Sequence, residues 1–239
     1  MSFGSRGRLG LIVPANNSVI EPEFWSVLPD GVATFATRIL ARGDLTPAAV
    51  RAMEAGVDAA VAQIAATDVD AIAYCDMVTT FIMEPGWNEA RVAAIAAATG
   101  RPALSAWTAL RDALAAVGAR RIAVASPYPR AIHALAPTFF AARGFEVVAD
   151  DTLDIHAMLD VPKVDAATLA ALVRPLVRAE PDAVVLLATD LPTFTALGPL
   201  ERELDRPILS SNQTLLWAGL RAVGWRGAVP GLGRLFAAG

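Results

Sequence analysis

The same short segments occur twice in this chain, once in each half and in the same order. Four pairs match: Arg8-Leu-Gly-Leu-Ile-Val-Pro14 with Arg121-Ile-Ala-Val-Ala-Ser-Pro127, Val69-Asp-Ala-Ile-Ala with Pro181-Asp-Ala-Val-Val, Cys75-Asp-Met-Val-Thr79 with Thr189-Asp-Leu-Pro-Thr193, and Arg101-Pro-Ala-Leu-Ser105 with Arg206-Pro-Ile-Leu-Ser210. Their separations, 105 to 114 residues, are too long for a solenoid repeat. The chain is therefore predicted to be a duplicated unit whose two lobes are related by an approximate two-fold axis.

Within each copy, short apolar runs alternate with helical patterns. The runs lack polar alternation, as buried parallel strands do, and they comprise Leu9–Val13, Ala71–Cys75, Arg121–Ala125 and Ala183–Leu187. Apolar residues at helical spacing follow an N-cap and first-turn pair, Thr46 and Pro47, and helices are also predicted near 87–99, 107–117, 131–143, 166–179 and 214–223. This alternation predicts an α/β fold of two Rossmann-like lobes with mainly parallel sheets.

The predicted lobes span residues 1–118 and 119–239. We expect the last helix of the first lobe to pack with the second, and the C-terminal segment to return to the first. The tryptophans Trp25, Trp87 and Trp107 suit either a core or the interface of a homo-oligomer, so the oligomeric state stays open.

Composition limits the classes of function. A hydrophobic fraction of 55% over 239 residues is typical of a globular protein. A net charge of −4 disfavours nucleic acid and anionic membranes, which require a basic face. The single cysteine excludes an internal disulfide and a zinc site built on several thiolates. With neither a signal-peptide pattern nor an apolar run of roughly 18 residues, we expect a cytoplasmic protein with a small-molecule partner.

Polar segments follow the predicted strands where ligands of open parallel sheets bind, beyond the carboxyl ends of the strands. These segments are Pro14–Ser18, Cys75-Asp76, Pro127-Tyr128 and Thr189-Asp190. If the two lobes face each other, the four segments converge on one cleft. The sequence therefore predicts a ligand site between the lobes.

Cys75 ends an apolar strand and begins a polar loop. A free cysteine is commonly a small buried hydrophobe, which is the alternative interpretation here. At a strand end before a helix, however, nearby backbone N–H groups lower the pKa of a thiol. A thiolate adds to an activated alkene, and a thiol donates a proton to a carbanion. Cys75 is thus the predicted catalytic residue.

Asp76 and Asp190 occupy equivalent positions in the two copies. Helix N-capping or simple solvation is the more common role for such residues, and catalysis or the binding of an amine-bearing ligand are the other interpretations. Thr79 and Thr193 either cap helices in the same way or donate to a substrate carboxylate. Both roles stay open at this stage.

Asn16 and Asn17 form either a turn or a carboxylate-binding pair of amides, and Tyr128 offers a phenol donor or a wedge for its loop. His133 and His156 have no serine or carboxylate motif beside them in the sequence, so both are interpreted as structural. No dinucleotide or phosphate-binding glycine motif occurs, and no spacing indicates a metal site. We therefore expect neither a cofactor nor a metal.

These segments together resemble a known family. Leu11-Ile-Val-Pro-Ala-Asn-Asn-Ser18 resembles the first-strand motif of maleate cis–trans isomerases, Asp70-Ala-Ile-Ala-Tyr-Cys75 the strand with their nucleophilic cysteine, and Val124-Ala-Ser-Pro-Tyr128 the segment with their substrate-contacting tyrosine. Arylmalonate decarboxylases are similar at Val164–Leu169 and Pro230–Phe236.

The resemblance implies the fold of the aspartate/glutamate racemase superfamily, a cofactor-independent enzyme, and a carboxylate substrate. It makes Cys75 the nucleophile that adds to a double bond. Asn17 and Tyr128 would then hold carboxylates, and the remaining candidate substrate-binding residues are Asp76, Thr79, Thr189 and Asp190.

The chain departs from that pattern in two places. The second lobe lacks the second cysteine, because the repeat places Thr189 there and an ungapped comparison with the decarboxylases places Ala188 there. Two-base racemisation, which needs a thiol on each face of the substrate, is therefore disfavoured. Asp76 stands where the decarboxylases have a hydroxyl residue, and a desolvated carboxylate there would repel a dicarboxylate.

Three functional hypotheses follow. The first is a maleate-isomerase-like enzyme with one covalent thiol. The second is an arylmalonate-decarboxylase-like lyase in which Cys75 protonates an enediolate. The third is a non-catalytic carboxylate-binding protein that kept the cleft but lost the chemistry, which the missing second thiol favours.

Overall fold

The computed structural model describes residues 3–237, which contain two parallel four-stranded sheets. The strands are β1 (Gly7–Pro14), β2 (Val32–Ile39), β3 (Ala71–Tyr74), β4 (Ala103–Ser105), β5 (Arg121–Ser126), β6 (Glu146–Thr152), β7 (Ala183–Leu186) and β8 (Ile208–Ser210). The sheet orders are β2-β1-β3-β4 and β6-β5-β7-β8, so the two lobes share one topology. This confirms the predicted α/β fold of two similar lobes.

Helices cover the faces of both sheets. They are α1 (Ile20–Trp25), α2 (Pro47–Glu54), α3 (Val57–Ala65), α4 (Thr79–Ile82), α5 (Trp87–Thr99), α6 (Ala106–Ala116), α7 (Arg130–His133), α8 (Ala136–Ala141), α9 (Ala166–Val173), α10 (Phe194–Leu204) and α11 (Ser211–Ala222). Short 3₁₀ helices occur at Met158–Lys163, Leu176–Ala179 and Arg234–Phe236.

The repeated aspartate has the same task in both lobes. The Asp70 carboxylate accepts a 2.8 Å hydrogen bond from the backbone N–H of Arg8 at the start of β1. In the second lobe, the Asp182 carboxylate accepts from the backbone N–H groups of Arg120 and Arg121 at 2.9 and 2.7 Å. These bonds satisfy backbone donors where the central strand of each sheet begins.

The repeated serine ends the fourth strand and begins the next helix. Ser105 caps α6, and the Thr108 hydroxyl oxygen accepts a hydrogen bond from the backbone N–H of Ser105. Ser210 and Gln213 form the same capping box at α11. The matching segments therefore encode the same strand-to-helix junction in both lobes.

The structure adds strands that hydrophobic runs alone do not predict. The edge strands β2 and β6 are only partly buried and carry polar residues, and β4 and β8 are three residues long. The central strands β3 and β7 are buried at every position, which is why their apolar runs identify them.

Three predicted helices are interrupted. The helix that begins after Thr46 breaks at Gly56, although Thr46 caps it through a 3.1 Å bond from the N–H of Ala49. The 131–143 segment forms two short helices, with Pro137 in the first turn of the second, and Pro175 separates α9 from a 3₁₀ turn. Proline has no N–H for an intrahelical bond, so it starts helices and ends them.

One buried cluster extends through both lobes. Its aromatic part joins Trp107 of α6 to Phe139 and Phe140 of α8, with ring centroids 4.8 and 5.9 Å apart. Helix α11 contacts α6 and also β1, β3 and β4 of the first sheet. The lobes therefore share a core, and the division at residues 118 and 119 stays a prediction.

Within residues 3–237, every helix is too short or too polar to cross a membrane.

Candidate active site

A cavity lies at the carboxyl ends of the central strands, between the two lobes. Its polar wall comes from all four of the segments that follow β1, β3, β5 and β7, and comprises Asn16, Asn17, Asp76, Tyr128, Thr189 and Asp190. Its apolar wall consists of Pro14, Ala41, Leu45, Ala49, Val50, Met53, Met77, Val78, Ile155, Met158 and Val161. The duplicated unit thus forms one enclosed site from both copies.

Two loops, one from each lobe, meet over this cavity. The N–H of Leu45 donates to the carbonyl of His156 at 2.9 Å, and the N–H of Met158 donates to the carbonyl of Gly43 at 3.4 Å. Because Leu45 and Met158 also line the cavity, the two loops form a cover that backbone bonds and apolar contacts hold in place.

Asn17 and Thr189 connect the lobes at the base of the site. The Asn17 Oδ1 accepts from the N–H groups of Val19 and Ile20 at 2.9 and 3.1 Å, which fixes the entry to α1. The Asn17 Nδ2 donates to Thr189 Oγ1 at 3.2 Å, and that hydroxyl donates to the carbonyl of Cys75 at 2.9 Å. The Thr189 side chain therefore holds the loop that begins at Cys75. In the internal repeat, Thr189 occupies the position in the second lobe that Cys75 occupies in the first.

The hydrogen-bonded chain continues from Thr189 to a partly buried carboxylate, that of Glu23. The Asn212 Nδ2 donates to the carbonyl of Thr189 at 2.9 Å and to Glu23 Oε2 at 2.7 Å. The Glu23 Oε1 accepts from the N–H groups of Thr193 and Phe194, the latter at 2.8 Å. Glu23 of the first lobe thus caps helix α10 of the second. Burial raises the pKa of Glu23, and these donors oppose that shift.

Cys75 lies directly behind the wall but is not part of it. Its side chain is fully buried within the shared core, and its Sγ lies 3.4 Å from the carbonyl oxygen of Ala73. Burial raises the pKa of the thiol, and the charges of Asp76 and Glu21 raise it further. The resting side chain is consequently a protonated thiol whose sulfur must be uncovered before it meets a ligand.

Asp76 and Asp190 bring two carboxyl groups to the wall. Burial raises the pKa of Asp76 to about 6, against a 2.8 Å hydrogen bond from the N–H of Thr79. Burial, together with the charge of Asp76, raises the pKa of Asp190 to about 7. Asn16 Nδ2 donates to Asp190 at 3.4 Å. Asp76 thus combines a capping-type bond with exposure to the cavity.

These shifts predict that the protein becomes less stable between about pH 4 and about pH 8. Asp76, Asp190 and Glu54 (pKa raised by burial to about 7) bind protons more tightly in the folded than in the unfolded chain. The stabilising free energy that these groups contribute is complete when the pH is below their pKa values in the unfolded chain. It is lost as the pH rises through their folded-state pKa values of about 6 to 7. The urea midpoint, measured at intervals across this range, should fall accordingly.

The Asp76→Asn/Asp190→Asn double variant should show a shallower decline, because two of the three groups are gone and Glu54 alone remains. Asp30→Asn, at an exposed position, is the matched control and should keep the original slope. A stability that is flat or rises with pH in the unchanged protein would contradict the assignment.

Tyr128 is held by a polar network behind the wall. Its N–H donates to Ser126 Oγ at 3.2 Å, and its carbonyl accepts from the Thr152 hydroxyl. Ser126 Oγ also bonds His133 Nδ1 at 2.8 Å, and His133 Nε2 lies 3.0 Å from Asp150. His133 therefore has a serine and a carboxylate partner, contributed by β5 and β6, which sequence spacing does not indicate.

The predicted site residues divide into two groups. Asn17, Asp76, Tyr128, Thr189 and Asp190 share the cavity wall. Cys75 and Thr79 are fully buried outside it.

Three further features were missed at the sequence level. Glu23 and Asn212 carry no motif, and they meet only because the lobes face each other. Ala188 adopts a φ of 97° at the end of β7, which is strained for a residue with a Cβ atom. The strain lies at the position that an ungapped comparison equates with the decarboxylase thiol.

The enzyme class that the sequence resembles is characterised by two matching α/β lobes and a cleft between them. In this chain a cysteine lies at the end of β3 and small polar groups lie at the other strand ends. Residues 9–236 match the sequence profile described as arylmalonate decarboxylase. The chain belongs to the arylmalonate decarboxylase family.

Named relatives include both activities of this class. The chain is 28% identical to a maleate isomerase of Geobacillus stearothermophilus, over 95% of this chain and 96% of that protein. It is also 28% identical to an arylmalonate decarboxylase of Bordetella bronchiseptica, over 99% of each.

A solved structure adds a chemical intermediate. It is a maleate cis–trans isomerase of Nocardia farcinica, in a variant with one cysteine replaced by serine and with a covalently bound succinylcysteine intermediate. It superposes with a TM-score of 0.90 at 28% identity, covering 96% of this chain and 98% of that one.

Proposed function

We propose that this protein is a cofactor-independent cis–trans isomerase that acts on a small unsaturated carboxylate through covalent addition of Cys75. The observation that carries the proposal is the position of the one cysteine of the chain at the carboxyl end of β3, next to the cavity that both lobes form. The succinylcysteine of the Nocardia farcinica relative supports a covalent thiol intermediate.

The proposed chemistry needs no oxidant or reductant. The thiol proton of Cys75 passes to a base, for which the wall offers the carboxylates of Asp76 and Asp190. The sulfur then bonds to one alkene carbon while the π electron pair moves towards the carboxylate as an enediolate. The carbon–carbon bond of the former alkene is now single, and the molecule rotates about it. The electron pair of the enediolate then re-forms the double bond, and the carbon–sulfur bond breaks. The trans isomer and the thiolate are released.

Access to the sulfur is part of the proposal. The Cys75 side chain is fully buried in the shared core behind the cavity wall, so the side chains around the sulfur have to move before it meets a ligand. The cover formed by residues 40–46 and 153–164 has to open to admit that ligand to the cavity. Two backbone hydrogen bonds between these loops, together with apolar contacts, oppose the opening, and lids of this kind move on the microsecond-to-millisecond timescale.

A decarboxylase is the second candidate, because the resting thiol is protonated and much of the cavity wall is apolar. In this reaction a malonate carbon–carbon bond breaks to release carbon dioxide and leave an enediolate. The Cys75 S–H then donates its proton to the α-carbon, and the thiolate regains a proton from solvent. An apolar wall suits the aryl or alkyl group of such a substrate.

Two parallel incubations separate these candidates. Maleate and an α-aryl-α-methylmalonate are each supplied to the protein, and fumarate formation and carbon dioxide release are followed. Fumarate formation supports the isomerase, and carbon dioxide release supports the decarboxylase. If neither substrate turns over while a dicarboxylate raises the melting temperature, the protein is a non-catalytic binding protein and the proposal falls.

The cytoplasmic location and the homo-oligomer suggested by the sequence belong to the same proposal. Of the three tryptophans considered for an interface, Trp107 is buried in the core and Trp87 is partly buried, so Trp25, which is 61% exposed, is the one available to a partner. A gel-filtration measurement of the native mass tests the oligomeric state.

A further inference from the structure

The charged groups on the cavity wall all have one sign. Asp76 and Asp190 face the cavity, whereas no lysine, arginine or histidine occurs among the described residues that line it. The charge of Asp76 raises the pKa of Asp190, in addition to the larger effect of burial. A dianionic ligand would meet both carboxylates without a compensating cation, and such an arrangement is repulsive in a desolvated site.

The wall also offers a donor without a partner. The Tyr128 side chain is only 4% exposed and lies on the cavity wall, yet its hydroxyl makes no hydrogen bond to any of the residues in the described part of the chain. Burial and the two carboxylates raise the pKa of this phenol, so it stays a hydrogen-bond donor. A phenol on the cavity wall with no protein acceptor is available to donate to a ligand.

The rest of the wall is aliphatic. Leu45, Val50 and Met53 come from the first lobe, and Ile155, Met158 and Val161 from the second. These side chains exclude water and favour a ligand with an apolar group. The cavity therefore presents three kinds of surface together: a paired carboxylate, a free phenol donor and an aliphatic pocket.

We propose that the ligand of this cavity is a zwitterion, a small carboxylate that also carries an ammonium group and an aliphatic side chain. The ammonium group lies beside Asp76 and Asp190, the carboxylate accepts from the Tyr128 hydroxyl, and the side chain packs against the two cover loops. The inference rests on the proposed function in that it takes this cavity as the substrate site, and it narrows the unsaturated carboxylate to one with an ammonium group.

The matched probes are leucine, 4-methylpentanoate and 3-methylbutylamine, which share one carbon skeleton and differ in the ammonium and carboxylate groups. Maleate is the dianionic probe. Binding to the whole chain is measured by calorimetry at neutral pH. We expect leucine to bind at least about tenfold more tightly than each of the other three. 4-Methylpentanoate and maleate lack the ammonium group that contacts the two aspartates, and 3-methylbutylamine lacks the carboxylate that accepts from Tyr128.

Two variants assign the contacts. Asp76→Asn/Asp190→Asn should reduce the affinity for leucine by about tenfold or more without weakening 4-methylpentanoate, since only the ammonium contact is removed. Tyr128→Phe should weaken leucine and 4-methylpentanoate alike. Asp30→Asn is the charge-matched surface control, and circular dichroism with urea unfolding verifies that each variant is folded.

The inference is overturned if maleate or 4-methylpentanoate binds as tightly as leucine, if leucine shows no binding at millimolar concentration, or if the double aspartate variant binds leucine as Asp30→Asn does. Its failure is distinguishable from that of the proposed function. If maleate is turned over but leucine is not preferred in binding, the isomerase proposal stands and the zwitterion proposal is wrong. If Cys75→Ser prefers leucine but the unchanged protein turns over no substrate, the zwitterion proposal stands and the isomerase proposal is wrong.

Discussion

Replacing Cys75 with serine should reduce turnover of the accepted substrate by about a thousandfold or more, a loss of about 4 kcal/mol in transition-state stabilisation. A serine hydroxyl has a far higher pKa than a thiol, so it neither adds to an alkene nor donates a proton comparably. The two side chains are nearly isosteric and the position is fully buried. We therefore expect the variant to stay folded while its chemistry is lost.

The measurement compares kcat/KM of the unchanged protein, Cys75→Ser and Cys75→Ala, together with their urea unfolding curves. Thr34→Ser, on the edge strand β2, is the control for a small side-chain change and should keep the original activity. Turnover that survives undiminished in Cys75→Ser would remove the thiol from the isomerase and from the decarboxylase alike.

The burial of the sulfur adds an independent readout. Because the thiol is covered and its pKa is raised by burial, iodoacetamide should alkylate it far more slowly than it alkylates free cysteine at the same pH. Rapid, stoichiometric labelling of the ligand-free protein would contradict the burial of the sulfur. Labelling followed by mass spectrometry gives the rate directly, since the chain has one cysteine.

Replacing Glu23 with alanine should destabilise the protein by about 3–5 kcal/mol. The carboxylate accepts from the N–H groups of Thr193 and Phe194 and from Asn212, all of which belong to the other lobe. Without it, three buried donors lose their acceptor at once, and each unsatisfied donor costs about 1–3 kcal/mol. The free energy of unfolding from urea titrations measures the loss.

Glu23→Gln should cost less than Glu23→Ala, because the amide oxygen still accepts from the start of α10. The amide nitrogen of the glutamine, however, would face the Nδ2 group of Asn212, which is also a donor, so that hydrogen bond is lost. Glu84→Ala, at an exposed position, is the matched control and should change stability by no more than about 0.5 kcal/mol. A Glu23→Ala variant within about 1 kcal/mol of the unchanged protein would show that this contact between the lobes is dispensable.

The site itself was predictable only in part. The four loops at the carboxyl ends of the central strands could be identified, because every parallel α/β sheet offers its ligand site there. The direction of each side chain could not. Asp76 and Cys75 are neighbours in sequence, yet one faces the cavity and the other enters the shared core. Thr189 was predicted to bind substrate. In the structure its hydroxyl also accepts a hydrogen bond from Asn17 and donates one to the backbone carbonyl of Cys75.

The sequence by itself determined the duplicated α/β architecture and the four central strands. Both faces of a central parallel strand are buried, so β3 and β7 need continuous apolar runs, and local composition alone encodes them. The tertiary structure decided the rest: the partly polar edge strands, the capping of α10 by Glu23 and the covering of the Cys75 sulfur. The hydrogen bond between Asn17 and Thr189 joins residues 172 positions apart. Such contacts depend on how two lobes pack together, and no local pattern records that packing.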